Sequence, residues 1–289
     1  MDKGGFMEYS PKKMQELLAK HDFNFKKMFG QNFIIDENII TNIIKKSEID
    51  STTCVLEIGP GAGSLTYQLS FFAHSVVAYE IDQNLKSILE ETLIGRENVT
   101  IIYEDFLKAN VLDTLKKYKY QKLYVVANLP YYITTPIIMK IIEEKIPVDK
   151  IVVMVQKEVG DRFKAKPGTK DYGSLSIYLD YYFEIKKLMD VSKNVFLPKP
   201  KVDSIVVEFR RRSTYLSVGN ESFFFQLVRD SFRQKRKTIR NNLKEYDLDQ
   251  LDMILKELGY DLSVRAEQLP IIVFAEISKR YQSVTKNNT

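Results

Sequence analysis

Residues Glu57-Ile58-Gly59-Pro60-Gly61-Ala62-Gly63-Ser64-Leu65-Thr66 make a glycine-rich turn of G-x-G-x-G spacing between an apolar run and a helix-forming stretch. Glycines there let backbone approach a ligand closely at the carboxyl edge of a sheet. The spacing is not the G-x-G-x-x-G of dinucleotide folds, and no lysine follows, as a phosphate-cradling loop requires. Residues 57–66 carry no basic side chain, whereas Glu57, Glu80 and Asp105 fall at the ends of three successive β-rich runs. Glu80, 17 residues past Gly63, is placed to accept hydrogen bonds from two ribose hydroxyls, and Asp105 from an adenine amino group. One such acid is ordinarily a helix N-cap or a solvated loop end, and a nicotinamide cofactor also wants one. Three together describe an edge suited to a cationic, hydroxyl-bearing ligand without phosphate. S-adenosylmethionine has those groups, and the expected cofactor contacts include Gly59, Gly61, Glu80 and Asp105.

The fourth β-rich run leads into Asn128-Leu129-Pro130-Tyr131. An exocyclic adenine amine is a poor nucleophile because its lone pair is delocalised into the ring, so acceptors must hold its N–H groups and aim the nitrogen. The Asn128 side-chain oxygen and the Leu129 carbonyl are such acceptors, and Tyr131 offers a flat face to the base. Pro130 stiffens the turn and removes a competing donor. Positioning carries such a step, with little need of a general base. Asn-x-Pro-Tyr alone is commonly just a turn; behind the glycine loop it reads as an amine-holding motif. Phe196, in the proline-stiffened segment 196–200, is a candidate second wall for an extruded base, the plainer reading being a packed loop phenylalanine.

Composition narrows the remaining classes. The chain of 289 residues is 44% hydrophobic and 28% charged, ordinary for a folded globular protein. One cysteine, Cys54, excludes an intrachain disulfide, and with only His21 and His74 there is little material for a zinc site or Cys–His catalysis. No metal is expected. Apolar runs such as 136–139 are broken by Lys140, far short of the roughly 18 residues that span a bilayer, so a cytoplasmic protein with no membrane segment is expected. Residues 1–189 carry 25 basic and 25 acidic side chains and residues 190–289 carry 18 and 13, so the net charge of +5 is C-terminal. Arg233, Lys235, Arg236, Lys237 and Arg240 concentrate it, either as a solvated helix face or as a surface for a polyanion.

These groups must be positioned by the β-rich runs 53–58, 75–81, 99–103, 124–127 and 150–155, separated by helical stretches. Strands alternating with helices predict an open α/β sheet of parallel strands, and nearly unbroken apolar runs predict strands covered on both faces. Runs 181–189 and 202–210 have no helix between them and predict an antiparallel edge pair. Beyond residue 212 the pattern is helical, over 221–244 and 248–258, with a C-cap at Gly259. The expected organisation is a domain over 1–212, including an N-terminal arm, and a small all-α domain over 213–289.

Several segments in this order resemble one family: Phe29-Gly30-Gln31-Asn32-Phe33-Ile34-Ile35-Asp36, Glu57-Ile58-Gly59-Pro60-Gly61, Asn128-Leu129-Pro130-Tyr131, Pro167-Gly168-Thr169-Lys170-Asp171-Tyr172-Gly173 and Phe196-Leu197-Pro198-Lys199-Pro200-Lys201-Val202-Asp203-Ser204. Over nearly the whole chain the sequence resembles the ribosomal RNA adenine N6-dimethyltransferases, most closely the small-subunit type. The resemblance implies a Rossmann-like class I methyltransferase sheet and S-adenosylmethionine contacts at Asn32, Ile34, Gly59, Glu80, Asp105 and Asn128. It also implies a flipped adenine between Tyr131 and Phe196, and transfer of four methyl groups to two adjacent adenines in the 3′ hairpin of small-subunit RNA within a partly assembled 30S subunit. The C-terminal basic run and the Lys26-Lys27 arm would grip RNA phosphates, giving salt-dependent binding by an expected monomer. Met28 replaces a residue usually basic in the family, and 191–194 lacks the usual prolines.

Three alternatives have distinct signatures. The large-subunit dimethylases of macrolide resistance share fold, cofactor and asparagine motif, but segments 236–243 and 265–269 favour the small-subunit type. A non-catalytic RNA-binding assembly factor would not need Glu80, Asp105, Asn128 and Tyr131 together. A nicotinamide dehydrogenase is disfavoured by the glycine spacing and by the lack of a basic residue and of a histidine acid–base candidate.

Overall fold

The computed structural model describes residues 11–26 and 30–285, with the side chains of Pro11 and 282–285 outside the description. Helix α1 (Pro11–Lys20) precedes strand β1 (Phe33–Ile34) and helix α2 (Glu37–Ser47). Asp36 caps α2 by accepting from the Asn38 N–H, and the isoleucine spacing buries Ile40, Ile43 and Ile44 on one face. Then β2 (Thr53–Ile58), α3 (Ser64–Leu69), β3 (Ser75–Tyr79), α4 (Lys86–Thr92), β4 (Val99–Ile102), α5 (Val111–Leu115), β5 (Lys122–Asn128), α6 (Thr134–Glu143) and β6 (Lys150–Gln156) alternate as expected. The chain continues through α7 (Lys157–Phe163), α8 (Ser174–Tyr182), β7 (Phe183–Val191), β8 (Phe196–Leu197) and β9 (Ser204–Arg211). It ends with α9 (Glu221–Ser231), α10 (Ile239–Asn242), α11 (Leu248–Glu257) and α12 (Ile271–Thr285).

The main sheet has the order β4-β3-β2-β5-β6-β9-β7. Strands β4 to β6 are mutually parallel, so the residues following β2, β3, β4 and β5 emerge at one edge. Every residue of β2 and β3 is buried, which explains their lack of alternation. Strand β9 runs antiparallel to β6, and β7 forms the outer edge. Tyr181 and Tyr182, read as strand, instead finish α8. A second sheet, β1 paired antiparallel with β8, was not legible, because each strand is two residues long and its partner lies far away in sequence.

Contacts divide the chain into two compact units, Met1–Gly160 with Lys186–Arg210, and Asp161–Ile185 with Arg211–Thr289. The second unit thus takes in α8 as well as the C-terminal helices. Its interior stacks aromatics, with Tyr181 against Phe224 and Tyr182 against Phe225, and both tyrosine hydroxyls donate to Glu221. The single helix expected over 221–244 is broken between Ser231 and Ile239. The buried Asn242 amide donates to the carbonyls of Ser231 (2.7 Å) and Gln234 (3.2 Å) and accepts from the Gln234 N–H (3.0 Å), giving that backbone partners a helix would otherwise provide.

Candidate active site

The glycine turn after β2 curls into the sheet edge, with φ of +60° at Gly61. A Cβ on Gly61 would lie 2.8 Å from the Phe33 ring, so only glycine lets β1 approach the turn this closely. Together they wall an open cleft lined by Asn32, Ile34, Gly59, Gly61, Glu80, Asp105, Asn128, Leu129, Pro130 and Tyr131. Ten of the eleven residues expected to hold cofactor or base therefore meet in one place. The eleventh, Phe196, does not line it.

Burial sets the electrostatics of the cleft. Glu57 is 1% exposed, and loss of solvent pushes its carboxyl up to about 8, with the nearby charge of Glu80 adding to the effect. Among the described residues its Oε2 has no hydrogen-bond partner. Glu80 is pushed up to about 7, again mainly by burial, against the pull of two backbone donors: Asp82 N–H to Oε1 at 2.8 Å and Gly61 N–H to Oε2 at 3.2 Å. Asp105 accepts from the Leu107 N–H at 3.0 Å, and the segment following it is held by the buried Lys140 ammonium, which donates to the carbonyls of Leu107 and Ala109. A cleft with two buried carboxylates of raised pKa is suited to a cation that restores their charge.

On the opposite wall, Asn128 Nδ2 donates to the Asn32 carbonyl at 2.7 Å, which orients the amide. Asn32 itself donates to the Gly30 carbonyl, so the arm segment and the β5 end are tied together. The Tyr131 hydroxyl shares a 2.8 Å hydrogen bond with the fully buried Ser204 at the start of β9. Phe196, opposite Ile34 in the β1–β8 pair, is 2% exposed and packed in the core beneath the sheet edge.

Two exposed apolar residues on the cleft were missed: Ile81 (46% exposed), next to Glu80, and Tyr132 (55%), whose ring lies against Gly30. A lone apolar residue in a loop carries no periodicity that would reveal it.

The expected RNA contacts have separate surroundings. Lys26 forms an ion pair with the buried Asp82 at 2.8 Å, and Lys27 lies outside the described residues. Arg233 pairs with Asp230 at 3.0 Å, and the Lys235 ammonium donates to the Lys170 carbonyl. Arg236, Lys237 and Arg240 are exposed, with no carboxylate partner among the described residues. Among the described residues no cluster of three or more His, Cys, Asp or Glu is placed to hold a metal, and no helix is long and apolar enough to cross a membrane.

The family model for ribosomal RNA adenine dimethylases matches residues 22–283. The chain belongs to the ribosomal RNA adenine dimethylase family. Members from Bacillus mycoides and Bacillus cereus, each described as a ribosomal RNA small subunit methyltransferase A, are 49% identical over 278 residues, covering 93% of this chain and 95% of theirs. The solved dimethyladenosine transferase of Plasmodium falciparum superposes with a TM-score of 0.72 at 25% identity, covering 87% of this chain and 98% of that one. The 23S rRNA methyltransferase ErmE superposes with a TM-score of 0.65 at 27% identity, covering 87% and 100%. The main sheet of this dimethylase-family chain is thus a Rossmann-like methyltransferase sheet, and the chain is a methyltransferase.

Proposed function

We propose that the protein transfers methyl groups from S-adenosylmethionine to N6 of two adjacent adenosines in the 3′-terminal hairpin of small-subunit (16S) ribosomal RNA, giving N6,N6-dimethyladenosines during 30S assembly. The observation that carries this reading is the Asn128 amide, tied by Asn32 at the mouth of a cleft that also holds Glu57, Glu80 and Asp105. The 49% identity to small-subunit enzymes, against 27% to the large-subunit enzyme of known structure, favours the small-subunit target.

The residues fit the cofactor. Among the described residues Glu57 Oε2 is a buried acceptor without a partner, and none of those that line the cleft is a basic side chain that would call for phosphate. When bound, S-adenosylmethionine supplies an electrophilic methyl group. Glu80 and Asp105 would accept from its ribose hydroxyls and adenine amino group, and the exposed Ile81 would offer its base an apolar contact. Asn128 Oδ1 and the Leu129 carbonyl accept from the target amine, while Tyr131, braced by Ser204, stacks on the flipped base. Arg236, Lys237 and Arg240, in a C-terminal RNA-binding domain, grip phosphates, and the protein works as a cytoplasmic monomer on the partly assembled subunit.

The test is incubation with labelled S-adenosylmethionine and unmethylated small subunits, followed by mapping of modified nucleosides. Label in N6,N6-dimethyladenosine at the 3′ hairpin is the expected result. Label only in large-subunit RNA would select the macrolide-resistance type, and binding without transfer would select a non-catalytic assembly factor.

A further inference from the structure

Lys26, expected to contact RNA, forms an ion pair within the protein while its side chain stays 38% exposed. Its ammonium lies 2.8 Å from Oδ1 of Asp82, a residue 2% exposed in the turn after β3. The other Asp82 oxygen accepts from Gln31 Nε2 at 2.8 Å, and Gln31 Oε1 accepts from the Lys26 backbone N–H at 2.9 Å, closing a ring of three residues. Asp82 further accepts from the Asn84 N–H, and its own N–H donates to Glu80 Oε1 at 2.8 Å. Burial opposes ionisation of Asp82, but Lys26, Gln31 and Asn84 outweigh it and hold the carboxyl below its ordinary value. Asp82, with its side chain 1% exposed, is a directional tether, since a buried carboxylate that loses its charged partner is left uncompensated.

The tether joins two parts of the cleft wall. Gly30, Gln31, Asn32 and Phe33 line one side and Glu80 another, whereas Lys26 does not line the cleft. We propose that Asp82 is a positioning residue that clamps the N-terminal arm through Lys26 and Gln31 and in the same stroke orients Glu80, so that arm and ribose acceptor form one preassembled wall of the cofactor site. This rests on the cofactor reading above. Because Lys26 is outside the cleft, changing it alters no side chain that lines the cofactor site, and the double variant tells whether its effect passes through Asp82.

The experiment titrates S-adenosylmethionine and S-adenosylhomocysteine into full-length wild type, Asp82→Asn, Lys26→Met, Lys26→Arg and the Asp82→Asn/Lys26→Met double variant by calorimetry. It also records KM and kcat with unmethylated small subunits. Each single change to Asn or Met raises the Kd and the cofactor KM by about tenfold while kcat at saturating cofactor changes by less than about twofold, and the double variant is no worse than the poorer single. Lys26→Arg retains most of the wild-type affinity, which also serves if Asp82→Asn fails to fold. A purely structural role would lower the active fraction, hence kcat, with KM unmoved. Unchanged cofactor affinity in Lys26→Met with weakened RNA binding overturns the clamp and restores Lys26 as a phosphate contact. A wild type that binds neither compound overturns the cofactor reading itself.

Discussion

Asn128 Nδ2 donates to the backbone carbonyl of Asn32 across 96 positions of sequence, at 2.7 Å, so the side chain proposed to hold the target amine is oriented by the segment that lines the cleft beside it. Its Oδ1 takes no donor from any described residue, and the amide is presented with its acceptor unspent. Asn128→Asp replaces a donor to that carbonyl with a second acceptor and loses the orientation. The expected result is a fall of about 10²–10³ in kcat for methyl transfer, measured with labelled cofactor, and a much smaller change in cofactor Kd. A loss of cofactor affinity as large as the loss in kcat would place Asn128 on the cofactor rather than on the base.

Glu57 and Glu80 make stability pH-dependent in the direction opposite to that of a salt-bridged acid. Their carboxyls, near 4.5 in the unfolded chain, are raised to about 8 and about 7 by burial. The folded state therefore binds more protons between those limits, and the stability present below about 4.5 is lost as pH rises through 7 and 8. The ligand-free Tm is expected to fall by roughly several °C from pH 5 to 9, and Glu57→Gln to flatten that fall. S-adenosylmethionine, being cationic, favours the ionised pair, so its affinity relative to S-adenosylhomocysteine should climb over the same range in calorimetric titrations. An unchanged pH slope in Glu57→Gln would refute the assignment.

Phe196 provides a separate test of how a base is held. Because its ring is packed in the core opposite Ile34, Phe196→Ala should cost about 3–5 kcal/mol of stability by leaving a cavity, and weaken cofactor binding by loosening β1. Thermal melts and cofactor titrations separate this from a stacking role. If the variant keeps Tm and cofactor affinity but loses transfer, Phe196 leaves the core to wall the base.

In the C-terminal unit, the Asn242 amide organises the turn that bears Arg233, Lys235, Arg236 and Lys237. Asn242→Leu leaves those backbone groups unpaired at a cost of about 1–3 kcal/mol, and should weaken binding to small subunits while cofactor affinity is retained. Arg236→Gln and Lys237→Gln should each reduce the slope of log affinity against log salt by about 0.9 in filter-binding titrations. Slopes equal to wild type would assign this face to solvent.

Strand ends were legible because parallel strands buried on both faces write continuous apolar runs, and whatever follows each run must emerge at one edge. That local rule located Glu57, Glu80, Asp105 and Asn128 without any knowledge of contacts, and the order of motifs carried the family. Polar and aromatic side chains follow no such rule. The pairing of Lys26 with a buried carboxylate 56 positions away, the burial of Phe196 in the core and the Asn242 amide donating to the Ser231 carbonyl where the helix ends all depend on partners that no local pattern announces. The sequence alone determined which backbone segments form the site, through hydrophobic patterning that acts over a few residues. Tertiary structure alone decided which side chains face the ligand and which brace the wall behind it, since burial and hydrogen-bond partners are settled by distant residues competing for the same groups.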